Sequence, residues 1–431
     1  MSPVCSVVKF FPVFEKSLFG ERLACGSGIE ELMDDLGRAM AGAHGAVRML
    51  GGGNPAHIPE MQALWRKRMA EILADAPAFD RMMTNYDPPI GNARFLAALA
   101  ALLRREFGWE IGPENLAITA GGQTAFFLLF NLLAGQFSGG RRKAILFPLV
   151  PEYIGYANQG LAPGMMRALE PRIEFLPGHR FKYHVDFERL VVSEDVAALC
   201  VSRPTNPSGN VLTNAEIHRL DAVAKAAGVP LIIDNAYGTP FPGIVFREID
   251  PIWNENIILT LSLSKFGLPN TRTGIVVARP EIIRAVASMT AIVGLANCPI
   301  GQTLVLPMVE SGEILRLARE VVRPFYERKS RLAQEWIAEF FDDALDYHVH
   351  VSEGALFLWL WFPGMKITAE TLYHRLKERG VLIIPGHYFG VGAPEDWRHG
   401  HECIRLSFAM DEASVREGIA LLAVEVAKGY S

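Results

Sequence analysis

The sequence predicts an α/β protein: a large domain built on a mainly parallel sheet, then a smaller α+β domain. Three observations predict it. Short apolar runs recur from about residue 116 to 278, alternating with segments of helical period. Most of these runs stop at a polar residue or a Gly/Pro turn rather than fading into charge. From about residue 300 the alternation gives way to a long helical run followed by clustered strands. The expected division is an N-terminal segment 1–48, a large domain 49–300 and a small C-terminal domain 301–431.

The elements follow in order. Residues 15–45 carry Ile29, Leu32, Met33, Leu36 and Met40 at helical spacings. Gly51-Gly-Gly53 is either a sharp turn or a close backbone approach to a ligand, and Gly52 is a candidate substrate contact. Met61 to Ala76 reads as a helix. Asn85-Tyr-Asp-Pro-Pro-Ile-Gly91 is a loop, in which Tyr86 is either packed or aimed into a site. A helix then runs to about Phe107 on Phe95, Leu96, Leu99, Leu102 and Leu103. Leu116–Thr119 is a strand, Ala120–Gln123 a turn and Thr124–Leu133 an apolar helix. Such a strand–glycine turn–helix unit can cradle a phosphate, because unpaired N–H groups and the positive dipole end face it.

Ala144–Phe147 is the next strand, with Tyr153 beyond its C-terminal end, the edge where open parallel sheets hold ligands. Ala197–Val201 runs into Ser202-Arg-Pro-Thr-Asn-Pro-Ser-Gly209, and Thr213 caps a helix from Asn214 to Ala227. Val229–Ile233 is a strand ending at Asp234-Asn-Ala-Tyr237. A carboxylate directly after a buried apolar run is hard to explain as a solvated face. Ile257–Leu261 leads to Ser262-Leu-Ser-Lys265, and Ile275–Ala278 follows. Later come a helical run from Gly312 to Phe341, strands at Gly354–Trp361, Val381–Ile384 and Cys403–Phe408, helices around Glu370–Gly380, and a last helix Ala413–Lys428.

Composition sets the class. The chain has 431 residues, 50% hydrophobic and 21% charged, which fits a globular protein with a large core. A net charge of −5 makes no case for nucleic acid or an anionic membrane. No apolar stretch reaches the roughly 20 residues of a membrane helix, and no secretory signal is evident. Five scattered cysteines without a C-x-x-C pair read as free thiols in a reducing compartment, the cytoplasm.

Five strand ends carry chemistry: Thr119 with Gly121, Tyr153, Asn206, Asp234 with Tyr237, and Ser262 with Lys265. Together they fit pyridoxal 5'-phosphate. Lys265 would form a Schiff base with the cofactor aldehyde. Asp234 would bond the pyridine nitrogen and keep it protonated. Tyr237 and Asn206 would donate to the ring oxygen, and Tyr153 would stack on the ring. Gly121, Gly122, Gln123, Ser262, Ser264 and Arg272 would hold the phosphate; a guanidinium fork suits paired oxygens.

The pattern Asn206-Pro-Ser-Gly209, Asp234-x-x-Tyr237, Ser262-x-x-Lys265 with Arg272, and a late-strand Arg405 resembles the fold-type I aminotransferases over nearly the whole chain. It is similar in particular to the valine–pyruvate group. The shared blocks include Leu50-Gly-Gly-Gly-Asn-Pro-Ala56, Asn85-Tyr-Asp87, Pro151-Glu-Tyr-Ile-Gly-Tyr156, Phe181–Phe187, Phe357–Phe362 and Pro385-Gly-His387. The resemblance implies a large domain built on a mainly parallel seven-stranded sheet, and a homodimer with shared active sites, in which segment 1–48 packs on the small domain and the partner. Tyr86 would reach the phosphate of the neighbouring subunit's cofactor. Arg405, with Asn206, would bind the substrate carboxylate, and the freed Lys265 would move protons as general acid and base. The implied reaction is ping-pong, valine and pyruvate giving 3-methyl-2-oxobutanoate and alanine. Arg272 lies seven residues after Lys265 where many relatives place it eight later, and Asn270 stands where relatives often have glycine, as a left-handed residue after Pro269 would allow.

Other readings stay open. Ser-x-x-Lys also occurs in acyl-enzymes, but their Ser-Asp-Asn and Lys-Thr-Gly partners are absent from this sequence. His399-Gly-His-Glu-Cys403 reads as a polar loop entering the Arg405 strand rather than a metal site. Another enzyme of the same cofactor class, acting on a different aliphatic or aromatic amino acid, or a non-catalytic ligand-sensing regulator, are the alternatives.

Overall fold

The computed structural model describes residues 14–24, 30, 34, 35, 37, 47–394 and 396–431. The expected helical positions Ile29, Leu32, Met33, Leu36 and Met40 lie outside these residues.

The apolar runs pair as one large sheet. Its strand order is Leu116–Ala120, Thr273–Val277, Ile257–Ser262, Leu231–Asp234, Val196–Ser202 and Arg142–Phe147; the last also pairs with Met166–Ala168 and, through a short antiparallel bridge, with Gly135–Gln136. That makes eight strands among the described residues where seven were expected; the extra one is the two-residue Gly135–Gln136. Only Thr273–Val277 and the Gly135–Gln136 bridge run against their neighbours. Every residue of Val196–Ser202, Leu231–Asp234 and Ile257–Ser262 is buried. Such runs are continuously apolar because helices cover both faces of a parallel sheet.

Register decides where the chemistry falls. Asp234 sits opposite Ser202 on one side and Thr260 on the other. Thr273 sits opposite Ala120. The parallel strands therefore deliver Asp234, Ser202 and Ser262 to one edge, and the antiparallel strand brings Arg272 back to it.

A second sheet has the order Ile384–Pro385, Cys403–Ser407, Phe357–Trp361, His348–His350, Arg180–His184 and Arg172–Leu176. Its last two strands form a hairpin from within residues 49–300, so the second sheet draws on chain from both sides of residue 300. Arg48–Met49 pairs with Val381–Leu382, and Asp35 contacts Tyr373 and Lys377, which ties the N-terminal segment to the same region.

Three local departures have simple causes. The expected helix over 61–76 is two helices, Pro59–Ala74 and Ala76–Thr84, because Asp75 leaves the helix and caps the next through the Ala78 N–H at 3.1 Å. The run 312–341 is helical but opens into a π turn at Ala318–Val322, just before Pro324, whose missing N–H cannot close a regular turn. Helices Pro280–Gly294 and Ile300–Ser311 were not anticipated; the second contains Pro307.

Leu259 is 0% exposed in a central strand, so Leu259→Ala should lower unfolding stability by about 2–5 kcal/mol in denaturant titration. Val191→Ala, at a 70% exposed position, should stay within roughly 0.5 kcal/mol.

Candidate active site

The strand ends enclose a cavity of about 260 Å³. Lys265, Asp234, Tyr237, Asn206, Tyr153, Gly122, Gln123, Ser262, Ser264, Arg272 and Arg405 all line it. Thus most of the candidates named from sequence meet in one place.

Lys265 lies in a short 3-10 turn after the Ile257–Ser262 strand. Its Nζ donates to the Gly53 carbonyl at 2.6 Å and stands 5.4 Å from the centre of the Tyr237 ring. Burial, with Arg405 and Arg272 nearby, brings its pKa down to about 8, against a small opposing pull from Asp234. The amine is therefore largely neutral at mildly alkaline pH, as a nucleophile or a proton carrier must be.

Asp234 accepts from Tyr156 Oη at 2.5 Å, from the Ala236 N–H at 2.8 Å and from Thr260 Oγ1 at 3.3 Å. Burial pushes its pKa up; these donors and Lys265 pull the other way. Tyr237 and Tyr153 also have raised pKa values, chiefly from burial, so both phenols stay protonated donors.

Arg405 is held on all sides. Its two Nη groups donate to Asn206 Oδ1 and to the Gly51 carbonyl, both at 2.7 Å. The guanidinium lies 4.1 Å from the Phe357 ring centre and 5.1 Å from that of Phe389. Its Nε is buried without a partner. Leaving such a donor unmet is costly, which marks the place for an anion. Because a guanidinium only donates, Asn206 must turn its Oδ1 to Arg405, and its Nδ2 hydrogens remain for the cavity. Burial lowers the Arg405 pKa to about 10.

The opposite end is shaped for a second anion. Gly121 starts the helix Gly122–Leu133 with φ 86°, and no side chain caps it. A Cβ at Gly121 would lie 2.3 Å from an Arg272 Nη, so glycine is needed both for the angle and for the space. Arg272 itself adopts the left-handed conformation (φ 47°), and donates to the Ala120 carbonyl at 3.3 Å. This corrects the expectation for Asn270: it lies in the 3-10 turn Pro269–Thr271, and the left-handed residues of the loop are Gly267 and Arg272. The short loop has to reverse direction to send Arg272 back to the edge, and the strain falls on the arginine.

Gly52 does not line the cavity; its neighbours Gly51 and Gly53 do, through the carbonyls that receive Arg405 and Lys265. Gly121 abuts the cavity through Arg272 rather than lining it. Tyr86 is 83% exposed and outside the cavity of its own chain. Four polar residues were missed: Thr260, Tyr156, Ser202 and Glu152. Thr260 and Ser202 had a readable signal, a polar residue inside or directly after an apolar run; Tyr156 and Glu152 look like ordinary loop residues. The His399 ring packs against Trp361 at 4.5 Å and meets the Tyr183 hydroxyl.

The aminotransferase class I and II family matches residues 65–422. The chain is 46% identical to the valine–pyruvate aminotransferase of Escherichia coli K12 over 96% of its own length and 99% of that protein. The structure of valine–pyruvate aminotransferase AvtA from Salmonella typhimurium LT2 superposes with a TM-score of 0.85 at 45% identity, covering 94% of this chain and 99% of that one. Thermus thermophilus aspartate aminotransferase with maleate shares the fold, with a TM-score of 0.78 at 22% identity over 96% of this chain and 100% of that one.

In cofactor-free protein, acylation of Lys265 by an amine-reactive reagent should rise with pH around a midpoint near 8. Below that midpoint the amine is protonated and inert, above it neutral. A midpoint near the 10.5 of an ordinary lysine, read by peptide mass mapping, contradicts the buried-cation account.

Proposed function

The chain belongs to the class I and II aminotransferases, and from that premise we propose that it exchanges an amino group between valine and pyruvate, giving 3-methyl-2-oxobutanoate and alanine. Pyridoxal 5'-phosphate is the cofactor of this family and of this enzyme. The donor set fits it. One end of the cavity offers an uncapped helix N-terminus, two serines and Arg272 for a phosphate; the other offers the unmet Arg405 Nε for a carboxylate. The observation that carries the proposal is Lys265, with its lowered pKa, placed between those two anion sites and beside Asp234.

Each residue then has a task. Lys265 would anchor the cofactor and Asp234 would pair with its ring nitrogen. Tyr237 and Asn206 Nδ2 would donate to its ring oxygen, and Tyr153 would pack on the ring. Gly121, Gly122, Gln123, Ser262, Ser264 and Arg272 would hold the phosphate. The bound cofactor supplies an aldehyde for the amino group and a ring that accepts electrons from the substrate Cα. Arg405 grips the substrate carboxylate and so fixes which Cα bond is presented. Lys265 Nζ, with its pKa brought down to about 8, takes the Cα proton and returns it. Three cations line the cavity, and the anchor, the phosphate and the α-carboxylate use all of them. Phe126, Ile154, Pro204, Ala236 and Leu261 are apolar, which favours an aliphatic side chain over an acidic one.

The site is completed in a homodimer in this reading. Tyr86 and the large apolar residues Met69, Leu73, Met83, Ile292, Val293 and Leu295 are exposed in a single chain. The Tyr86 loop and the segment after Leu295 lie together, joined by Asn297 donating to the Pro89 carbonyl at 3.0 Å. A second copy would cover that surface and bring Tyr86 to its partner's phosphate site. We place the enzyme in the cytoplasm: the described cysteines are free, and no described helix is long and apolar enough to cross a membrane.

Valine and alanine, added singly to holoenzyme, should each bleach the visible cofactor band, whereas aspartate should not. Failure of both valine and alanine would sink the substrate assignment and leave the cofactor untouched. Lys265→Ala should slow the half-reaction by at least about 10²–10⁴-fold.

A further inference from the structure

Behind Asp234 runs a buried file of oxygens that the proposed chemistry does not use. Glu152 Oε2 lies 2.5 Å from Ser202 Oγ, Ser202 Oγ 3.4 Å from Tyr156 Oη, and Tyr156 Oη 2.5 Å from Asp234 Oδ2. Glu152 is 0% exposed, and its Oε1 accepts from the Ser202 N–H at 2.8 Å.

We propose that Glu152 is held as a neutral carboxylic acid and serves as the positioning residue whose proton completes the file, so that Ser202 donates to Tyr156 while Tyr156 donates to an ionised Asp234. The inference rests on Asp234 being the partner of the cofactor ring.

The argument is a count of protons. Three gaps separate the four groups, and each needs one proton to become a hydrogen bond. If both carboxyls are ionised, only the Ser202 and Tyr156 hydroxyl protons are available. Ser202 then turns to Glu152, Tyr156 turns to Asp234, and the gap between the two hydroxyls stays empty. Two buried like charges would also face each other across the file. A proton on Glu152 fills every gap with one direction of donation: Glu152 to Ser202, Ser202 to Tyr156, Tyr156 to Asp234. The extra proton belongs on Glu152 rather than Asp234. Asp234 has the Ala236 N–H, Thr260 and the attraction of Lys265 to hold it charged. No described cation stabilises Glu152. The titratable groups around it are Asp234 on one strand, Cys200 on the next, and Tyr153 and Tyr156 on its own loop, all neutral or acidic. The segment that packs across the loop gives it only the Phe389 carbonyl, which receives the Glu152 N–H at 2.9 Å. Burial raises the Glu152 pKa to about 8, with Asp234 adding to it and the Ser202 and Tyr153 donors opposing.

The sign follows. Below about pH 8 the acid is protonated and the file points at Asp234; above it Ser202 reverses and Asp234 loses part of its support. Cofactor affinity should therefore decline on the alkaline side. Two readouts test this. Infrared spectroscopy of cofactor-free protein should show a protonated-carboxyl band at neutral pH that fades with a midpoint near 8 and is missing from Glu152→Gln. Pyridoxal 5'-phosphate affinity by equilibrium dialysis should fall about tenfold in Glu152→Ala at neutral pH. Glu152→Gln, which can still donate to Ser202, should recover most of that loss and lack the alkaline decline.

An absent band in wild-type protein, or a Gln variant as weak as the Ala variant, overturns the proposal. The wild-type infrared titration decides the matter even where Glu152→Ala does not fold. If instead Asp234 does not face the cofactor, the band and its midpoint persist while no variant in the file changes the affinity, which separates the two failures.

Discussion

Three cations share a cavity with one carboxylate. Lys265, Arg272 and Arg405 line the same space as Asp234; Arg405 is cut off from water, Lys265 is half-buried and Arg272 is exposed. That imbalance organises much of the site. Burial first, and then the two guanidiniums, lower the pKa of Lys265, the cation that can lose its proton most readily. The imbalance leaves Arg405 with a buried donor unmet. A site with surplus positive charge and too few acceptors is built for anions. In the proposed reading, the phosphate of the cofactor and the carboxylate of an amino acid would restore the balance.

The sheet makes the imbalance tolerable. Parallel strands buried on both faces are rigid, and their registers place Ser202, Asp234 and Thr260 side by side. The antiparallel return of Thr273–Val277 is what lets one loop carry both Lys265 and Arg272 to the same edge. Arg405 comes from the second sheet but is tied back through Asn206 and Gly51. The proposed substrate clamp would thereby be fixed to both sheets.

Much of this was legible in the sequence, for a physical reason. Asp234 and Ser262 end apolar runs, and a polar residue that a buried strand carries to its tip stands out against the run. Lys265 and Arg272 are cations next to such strands. What escaped had no local mark. Glu152 sits between Pro151 and Tyr153 in a loop that looks solvent-facing, and only the fold carries it under the sheet edge. The Arg172–His184 hairpin pairs with a strand at 348–350, far along the chain, so neither periodicity nor spacing could place it. Pro307 disguised the Ile300–Ser311 helix. Gly52 was chosen among three glycines whose roles depend on which carbonyl turns inward, and that is set by Arg405 and Lys265 rather than by the glycines. Tyr86 is exposed and stands away from the cavity of its own chain, so its proposed role depends on a second copy.

The account stands on Lys265 being the anchor. Borohydride reduction of the holoenzyme followed by peptide mass mapping tests it most directly. The account predicts one phosphopyridoxyl-modified peptide, the one containing Lys265. A modification at another lysine, or none with the cofactor bound, would contradict it.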